Sequence, residues 1–412
     1  MGRHAAGVDK HRENGGSGLV QRVLAGSLAT AFVLTVIGLV LLWPRGGAPA
    51  PEAGFRESQS VAAEGISAVV VSTSPAECNH LPATDSRLTR AQPGFVEGGS
   101  CSVSEVRITV GPDEGRMTTL QNAGSPGDPH LAEGDKILLA RSESPDGAST
   151  YTFLDVDRAV PLWVWIASTV LGVIAAAAWR GARALVGLVF TLAVIGMFLV
   201  PALVRGGPPV MLAVVAGAAI LFPVIFLVHG ANWKAASALG GTLVSLVASA
   251  VLAWAAIGTT HVRGLGDDSN LLIQLYLPTV SVAGLMLAGF IIGTLGALND
   301  ATVAQASTVA ELVEANPAAR PKGLFASAMR VGQDHIASMV YTLVLAYIGA
   351  ALPMTLLLSV VDRPLMQVLT SDVVATELVR SAVGALGLTL AVPATTLIAA
   401  STLSKRQAIT ST

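Results

Sequence analysis

The sequence has few charged residues and few aromatic ones. Only 13% of its 412 residues are Asp, Glu, Lys or Arg, about half the roughly 25% that soluble domains carry. Hydrophobic residues make up 52% of the chain and the mean hydropathy is +0.64. This balance excludes an ordinary soluble domain and predicts a multi-span membrane protein. The net charge of −2, with aromatics at 5% and no basic stripe, argues against nucleic acid as a partner.

Several enzyme signatures are also missing. The chain has no G-x-x-x-x-G-K-[ST] loop for a nucleotide, no H-E-x-x-H metal motif and no G-x-S-x-G nucleophile elbow. Its histidines are spread along the chain, so they do not predict a metal cluster. We therefore expect no cofactor and no enzymatic activity. An intramembrane protease that uses paired aspartates is kept as an alternative.

The N-terminal region consists of a polar tail and one apolar run. Residues 1–18 are polar and Gly-rich, which is typical of a disordered cytoplasmic tail. The apolar run at 19–43 is longer than the roughly 7–15 residues of a signal-peptide core and reaches the roughly 20 that a bilayer requires. It predicts an uncleaved transmembrane anchor helix. Cleavage near Ala48-Pro49-Ala50, which has the small-x-small form, is the alternative.

Residues 44–160 contain no apolar run that could span a membrane and are rich in turn residues. Alternating apolar and polar residues between Gly, Pro and Asp predict short strands. The predicted strands are Ile66–Ser72, Val103–Val110, Lys136–Arg141 and Thr150–Asp155. We expect a small all-β, barrel-like domain inserted after the first helix.

Both cysteines of the chain, Cys78 and Cys101, fall in this domain. If the domain lies in an oxidising compartment they are candidates for a disulfide, and closing such a loop stabilises a fold by about 3 kcal/mol. Two unpaired, buried thiols are the alternative. A metal site is less favoured, because four ligands are usual and His80 is the only histidine near the pair.

Residues 161–404 are mostly apolar and predict a seven-helix transmembrane domain. The predicted spans are 161–179, 184–204, 208–229, 234–258, 271–297, 336–360 and 377–403. A cytoplasmic helical linker is expected at about 299–335, and 405–412 form a cytoplasmic tail. With the anchor, the predicted fold is a membrane all-α bundle of about eight transmembrane helices carrying a small extracytoplasmic all-β domain.

The distribution of Lys and Arg sets the predicted orientation. With the N-terminal tail in the cytoplasm, most of these residues outside the β domain lie on the cytoplasmic side, as the positive-inside rule requires. The opposite short loops hold Arg205, Arg263, Arg363 and Arg380. We therefore expect both termini in the cytoplasm of a bacterial cell and residues 44–160 outside its plasma membrane.

The region from Gly284 to Tyr347 carries the candidate site. The predicted span 271–297 includes Gly289, Gly293 and Gly296, small residues at a spacing that lets helix backbones approach closely. They predict a helix-packing face. Ordinary packing accounts for them without any further function.

An acidic stretch follows this span. If the helix continues, Asp300, Ser307 and Glu311 share one face next to Asn299. The alternative is a helix that restarts at the capping box Thr308-x-x-Glu311. In either case the Asn-Pro pair at 316–317 should end the helix.

The next helix places a carboxylate close to apolar sequence. Asp334 lies one or two turns inside this apolar region, where a carboxylate exposed to lipid would be costly. Together with its neighbours, the candidate site for a hard cation or a proton relay comprises Asp300, Asp334, Asn299, Ser307, Glu311, Thr342 and His335. The alternative is that the acidic residues are solvated at the membrane surface and that Asp334 pairs with Arg330.

The same region resembles the YibE/F-like family of bacterial multi-span membrane proteins. The resemblance rests on Gly293, Asp300, Ser307, Glu311, Asn316-Pro317, Gly332-x-Asp334, Thr342-Leu343 and Ala346-Tyr347-x-Gly349. It is strongest over about 285–350, and Tyr341 departs from it by standing where Asn is expected before Thr-Leu. The resemblance implies the fold and the membrane location, and a transport role is commonly supposed for the family.

The sequence thus predicts a secondary transporter or permease for a small ion or solute, with a carboxylate site at its cytoplasmic mouth. The alternative is a non-transporting envelope binding or scaffold protein that acts through its β domain. The expected partners are the lipid bilayer, a small cation, proton or solute, and a second copy or an envelope protein bound through the β domain.

Overall fold

The computed structural model describes residues 15–47, 65–76, 101–122, 128–143, 149–265, 268–361 and 363–404. The alternative cleavage site at Ala48–Ala50, most of the N-terminal tail and the tail at 405–412 lie outside the described residues. The chain divides into two units, one of Pro51–Gly172 and one of Met1–Ala50 with Val173–Thr412. The domain boundaries at 44–160 and 161–404 stay predictions.

The first unit contains a five-stranded antiparallel sheet in the order β3-β2-β1-β4-β5. Its strands are β1 Gly65–Ala76, β2 Cys101–Ile108, β3 Met117–Asn122, β4 Lys136–Glu143 and β5 Ser149–Val156. Four of them were predicted. The missed strand, β3, reads MTTLQN and buries only Leu120, so its sequence lacks the alternation that marks a strand.

The sheet buries one of its faces. Its core consists of Ala68, Val70, Val106, Ile108, Leu120, Ile137, Leu139 and Tyr151. Pairing is irregular between Val70 and Ser72 of β1 and between Leu138 and Leu139 of β4, and such bulges bend strands. The edge strands β3 and β5 also contact each other. The result is a small curled antiparallel sheet, as the sequence predicts.

Cys101 begins β2, opposite Ala76 of β1, and is disulfide-bonded. Its predicted partner, Cys78, lies outside the described residues. The pairing itself therefore stays a prediction.

The second unit is helical. Together with the helix that leads into it from the sheet, it contains α1 Gly15–Leu42, α2 Ala159–Val194, a π-helix Ile195–Leu199, α3 Val200–Val204, α4 Pro209–His229, α5 Trp233–Thr260, α6 Asp268–Tyr276, α7 Val282–Ala315, α8 Pro321–Ala350, α9 Leu352–Ser359, α10 Leu365–Leu369 and α11 Asp372–Leu403.

Six helices in the described part of the chain are long and apolar enough to cross a membrane, or seven if α8 and α9 form one bent span. The sequence predicts eight spans, and the difference from the structure arises at α2. This helix runs through Ala178, whose backbone is not helical (φ 48°, ψ −130°) and which lies at the end of the predicted span 161–179. Whether α2 is counted once or twice decides the number of spans.

The centre of the helical unit is formed by α5, α7 and α11, with α4 and α8 packed around them and α1 against α4. Among the side chains buried there are Leu239, Leu246, Phe290, Ile291 and Leu388. The contacts bring the apolar faces of long helices together, as expected of a bundle in which lipid surrounds the outer helices.

One detail of the predicted spans is wrong. Pro278 lies between α6 and α7 rather than inside a span, because α7 begins at Val282.

The bend between the adjacent helices α8 and α9 measures 68° and occurs at Ala351. Pro353, in the first turn of α9, explains it, because proline has no backbone N–H and restricts the residue before it.

A hydrogen bond between Asp113 and Tyr151 should make the sheet sensitive to acid. The hydroxyl of Tyr151 donates to Asp113, and this bond is the main reason that the pKa of Asp113 is lowered, with Arg116 and Arg141 lowering it further. A depressed folded-state pKa contributes stability above the unfolded value of about 4, and that contribution is lost as the pH falls through the folded value.

We expect Asp113→Asn to lower the urea midpoint of residues 65–156 at pH 7, and the deficit to shrink below about pH 4. Pulse proteolysis of the full chain in graded urea measures it. Glu114→Gln removes the same charge from an exposed neighbour without touching the Tyr151 bond, so it should leave the midpoint near wild type. An equal deficit for Asp113→Asn at pH 7 and pH 3 would contradict the assignment.

Candidate functional site

The residues predicted on the acidic stretch all lie on one helix. α7 continues without interruption to Ala315 and is capped by Asn316, so the expected end is confirmed. Thr308 does not restart the helix, because its hydroxyl donates back to the carbonyl of Ala304 at 3.0 Å. The structure exposes Asp300 and Glu311, and it half-buries Asn299 and Ser307.

The residues predicted on the next helix are exposed. Asp334, His335 and Thr342 lie on the outer surface of α8, and the Thr342 hydroxyl donates to the carbonyl of Ser338 at 2.9 Å. Arg330 donates to Ser327 at 3.2 Å, and no ion pair joins it to Asp334 within the described structure. The described structure therefore does not contain the ion pair between Arg330 and Asp334 that the alternative predicts.

The two aspartates face different surroundings. Gly332 packs against α7 and α11, and Asp334, two residues later, projects about 200° away around the helix axis. Asp300 interacts instead with the neighbouring Asn299 side chain and with His229 at the end of α4. The structure thus does not assemble Asp300 and Asp334 into one site, and cation binding by either residue stays a prediction.

Asp300 belongs to a mixed group of charges beside the end of α4 and the start of α5. His229, which ends α4, interacts electrostatically with Asp300 and also with Lys234 and Arg180. Within the described residues no three His, Cys, Asp or Glu side chains converge as metal ligands. One carboxylate among basic groups is better suited to exchanging a proton or meeting a charged solute than to holding a divalent ion.

The predicted glycine face does not carry the helix packing. An added Cβ at Gly289 or Gly296 would meet nothing within 4 Å, and Gly293 approaches only the hydroxyl of Tyr347, at 3.3 Å. All three glycines are exposed, so the spacing alone was a poor guide. Close contacts between helices occur at other glycines, among them Gly241 and Gly387.

Gln305 is the central polar residue that the sequence did not reveal. It is buried on α7, and its side-chain nitrogen donates to the carbonyl of Ala328 at 3.0 Å and to the hydroxyl of Thr396 at 2.7 Å. It thereby joins α7 to α8 and α11. The signal that could have found it is Gly332, whose missing side chain leaves room for the Gln305 amide.

A second polar contact joins α5 to α7. The hydroxyls of Thr242 and Thr302 lie 2.6 Å apart, and both residues are fully buried. Thr242 also bonds the carbonyl of Ala238 at 2.8 Å, and Thr302 bonds that of Asn299 at 3.0 Å. Nearby, the side-chain oxygen of Asn299 is buried without a hydrogen-bond partner.

The contact between α5 and α11 is reciprocal. The hydroxyl of Thr395 on α11 lies against Gly241 of α5, and the hydroxyl of Ser249 on α5 lies against Gly387 of α11. On each of the two helices the glycine and the hydroxyl-bearing residue are eight positions apart, which is about 12 Å along an α-helix. Neither hydroxyl has a hydrogen-bond partner in the described structure, although both residues are fully buried.

We call these buried groups the polar line. It consists of Thr242, Ser249, Asn299, Thr302, Gln305, Thr395 and Thr396. All seven are neutral, and they lie where α5, α7 and α11 meet. Their side chains offer hydroxyl and amide groups, which can solvate a small ion, water or a polar solute.

A second charged group lies near the start of α11. Arg380 pairs with Glu377 at 3.0 Å, and its guanidinium lies over the rings of Phe290 and Tyr347, 5.2 and 5.8 Å from their centres. The Tyr347 hydroxyl is buried without a hydrogen-bond partner. Because α11 starts here and the polar line lies farther along it, this charged group stands beyond one end of the line.

The family model described as YibE/F-like protein matches residues 165–405. This range covers more than half of the chain. The chain belongs to the YibE/F-like family. Comparisons with curated proteins and with solved structures gave no match. The matched range contains the whole polar line and leaves out the sheet.

Within this YibE/F-like chain, Gly332 explains part of the resemblance seen in the sequence. An added Cβ there would stand 2.7 Å from a Val392 methyl and 3.1 Å from both end atoms of the Gln305 amide. The glycine in Gly332-x-Asp334 is thus required by the packing of Gln305. The aspartate of the same motif takes no part in that contact.

We expect Gly332→Ala to destabilise the helical unit by about 1–3 kcal/mol, the usual cost of overpacking a core. Gly296→Ala is the matched control, because it adds the same methyl to open space and should stabilise a helix by about 0.5–1 kcal/mol. Thermal unfolding of both variants in detergent measures the difference. Equal stability of the two variants would contradict the described packing.

Proposed function

We propose that this YibE/F-like chain is a secondary transporter or permease for a small ion or solute in the bacterial plasma membrane. The ion or solute would pass along the polar line between α5, α7 and α11. The observation that carries the proposal is the set of buried side-chain oxygens of Ser249, Asn299 and Thr395, which have no hydrogen-bond partner within the described protein.

Unpaired buried oxygens call for an explanation. Leaving a buried polar group without a partner costs about 1–3 kcal/mol, and polar residues inside membrane bundles often mark the route of an ion or solute. A passing ligand or its water would supply the missing hydrogen bonds. Close helix packing explains why glycines face Ser249 and Thr395, but it does not explain why the facing residues carry hydroxyls.

The charges beside the line support the same interpretation. Arg380 and Glu377 stand beyond one end of the line. Asp300 lies on α7 between two members of the line, Asn299 and Thr302, and the members themselves are neutral. A neutral passage with several oxygens suits a monovalent cation, a proton carried through water, or a small uncharged polar solute. Divalent ions generally require more carboxylates.

The arrangement in the membrane is part of this proposal. Counting α2 as two spans and α8 with α9 as one gives eight spans, with both termini in the cytoplasm and residues 44–160 outside. The end of α4, where His229 interacts with Asp300, would then face the cytoplasm. The excess of Lys and Arg on that side of the helical unit supports this orientation. The proposal includes no enzymatic reaction and no cofactor.

The alternative is a non-transporting envelope protein that binds a partner through its sheet. A surface cleft of about 320 Å³ on the sheet favours this possibility. It is lined by Val69, Val70, Val71, Arg107, Thr109, Glu133 and Gly134. In that case removal of residues 65–156 would abolish the function, whereas changes in the polar line would not.

We expect Ser249→Ala to reduce ion flux without reducing stability, because the lost hydroxyl has no partner in the fold. Vesicles loaded with a pH or cation indicator report the flux of protons, Na⁺ and K⁺. Ser245→Ala is the matched control, since the Ser245 hydroxyl, one turn away on α5, already bonds the Gly241 carbonyl at 2.8 Å. Equal flux in wild type and Ser249→Ala would contradict the passage.

A binding test separates the two aspartates. A ligand at 100 times its Kd stabilises the folded protein by about 2.7 kcal/mol. Some cation or pH change should raise the melting temperature of the wild type. We expect this rise to be absent in Asp300→Asn and present in Asp334→Asn. Loss of the effect in Asp334→Asn alone would contradict the assignment of Asp300 to the mouth.

A further inference from the structure

An apolar cleft of about 770 Å³ lies on the side of the helical unit, away from the polar line. Its walls come from α1, from the end of α2 with the π-helix, and from α4. Representative lining residues are Leu28, Phe32, Leu39, Val194, Phe198 and Phe222. A cleft with this lining offers nothing to an ion or a polar solute, so its occupant must be largely hydrocarbon.

Two arginines stand at one end of this cleft. Trp43 and Phe198, both lining residues, stack with ring centres 5.8 Å apart. One or two turns beyond them, Arg205 donates to the carbonyls of Pro201 at 2.7 Å and Gly46 at 2.8 Å. Arg45 is exposed beside Gly46. Tryptophan followed by arginine is typical of the boundary between hydrocarbon and head groups.

Arg205 retains unused hydrogen-bonding capacity. A guanidinium has five N–H donors, and the Nε of Arg205 is buried without a partner in the described structure. Its two described bonds hold the guanidinium in place next to the cleft. An anionic oxygen beside this guanidinium would accept from the N–H groups left on its two terminal nitrogens and would balance the positive charge of both arginines.

The local backbone also suits a bound molecule. The π-helix Ile195–Leu199 forms part of the wall and contributes Met197 and Phe198. Single π-helical turns are rare and frequently lie at functional sites. Pro223, inside α4, lines another wall, so two of the three walls contain an interruption of regular helix.

We propose that the cleft binds an anionic phospholipid, with an acyl chain between α1, the π-helix and α4 and the phosphate against Arg205 and Arg45. From Leu28 to Trp43 the cleft extends about 22 Å along α1. One leaflet of a bilayer core is about 15 Å deep, so an acyl chain fits this length. The site is separate from the polar line and does not depend on a transport function.

The test is native mass spectrometry of the full chain after reconstitution with phosphatidylglycerol or phosphatidylcholine of identical acyl chains. Each arginine near a head group favours the anionic lipid about five-fold. We expect wild type to retain phosphatidylglycerol at least five-fold better than phosphatidylcholine after equal washing in detergent. Equal retention of the two lipids would overturn the proposal.

Two variants fill the cleft, each with a control. Val36→Trp and Met197→Trp add bulk at exposed positions that line the cleft. Val33→Trp on α1 and Met211→Trp on α4 add the same bulk at exposed positions outside the cleft. We expect both lining variants, but neither control, to lose most of the retained phosphatidylglycerol. Retention that is the same in variants and controls would refute an acyl chain in the cleft.

A separate variant tests the contact between the lipid head group and the arginines. Arg45→Gln should lower the preference for phosphatidylglycerol about five-fold, whereas Arg263→Gln, at another exposed arginine, should not. Free glycerol phosphate should not compete with the lipid. Full competition by glycerol phosphate would show a phosphate site without an acyl chain. Dissociation of a dimer by the lining variants would show that a second copy of the chain occupies the cleft. Either result overturns the proposal.

Discussion

The helical unit depends on the close approach of α5 and α11. Glycines at 241 and 387 allow it, because a side chain at either position would overlap Thr395 or Ser249 on the facing helix. Lipid provides no hydrophobic drive for helices to associate, so close packing and interhelical hydrogen bonds must do it. This contact holds α7 between the two helices and brings its polar residues into the centre.

The chemistry follows from this packing. Where partners are available, the buried groups use them, as Gln305 does with Thr396 and Thr242 does with Thr302. Where a glycine faces the hydroxyl of Ser249 or Thr395, the described part of the chain supplies no hydrogen-bond partner for it. The bundle thus combines polar contacts that stabilise it with oxygens that remain free to meet a ligand. The former explain the stability of the bundle and the latter the proposed passage.

Much of the architecture could be predicted because hydropathy and turn residues act locally. Apolar runs located the helices, and Asn316-Pro317 located the end of α7, since proline restricts the residue before it. The strand Met117–Asn122 was missed because it is held by pairing with β2 and has almost no apolar pattern of its own. The alternative of a helix that restarts at Thr308 is wrong, because α7 is helical throughout.

The candidate site was harder to predict than the fold. Asp300 and Asp334 stand out in the sequence because they are charged, but the direction in which each projects depends on the rotation of its helix, which one sequence does not reveal. Gln305 and Ser249 are neutral and stand among apolar residues, and their importance arises only from the helices they meet. The cation site built on two aspartates stays a prediction, while the polar line is a feature of the structure.

The central claim is that the polar line is a passage, and the reactivity of a cysteine at Ser249 tests it most directly. Ser249→Cys and the buried apolar control Ala216→Cys would be treated in vesicles with a small, water-soluble thiol reagent. We expect Ser249→Cys to react several times faster than the control. Equal, negligible reaction at both positions would show that water does not reach the line, and the passage would be contradicted.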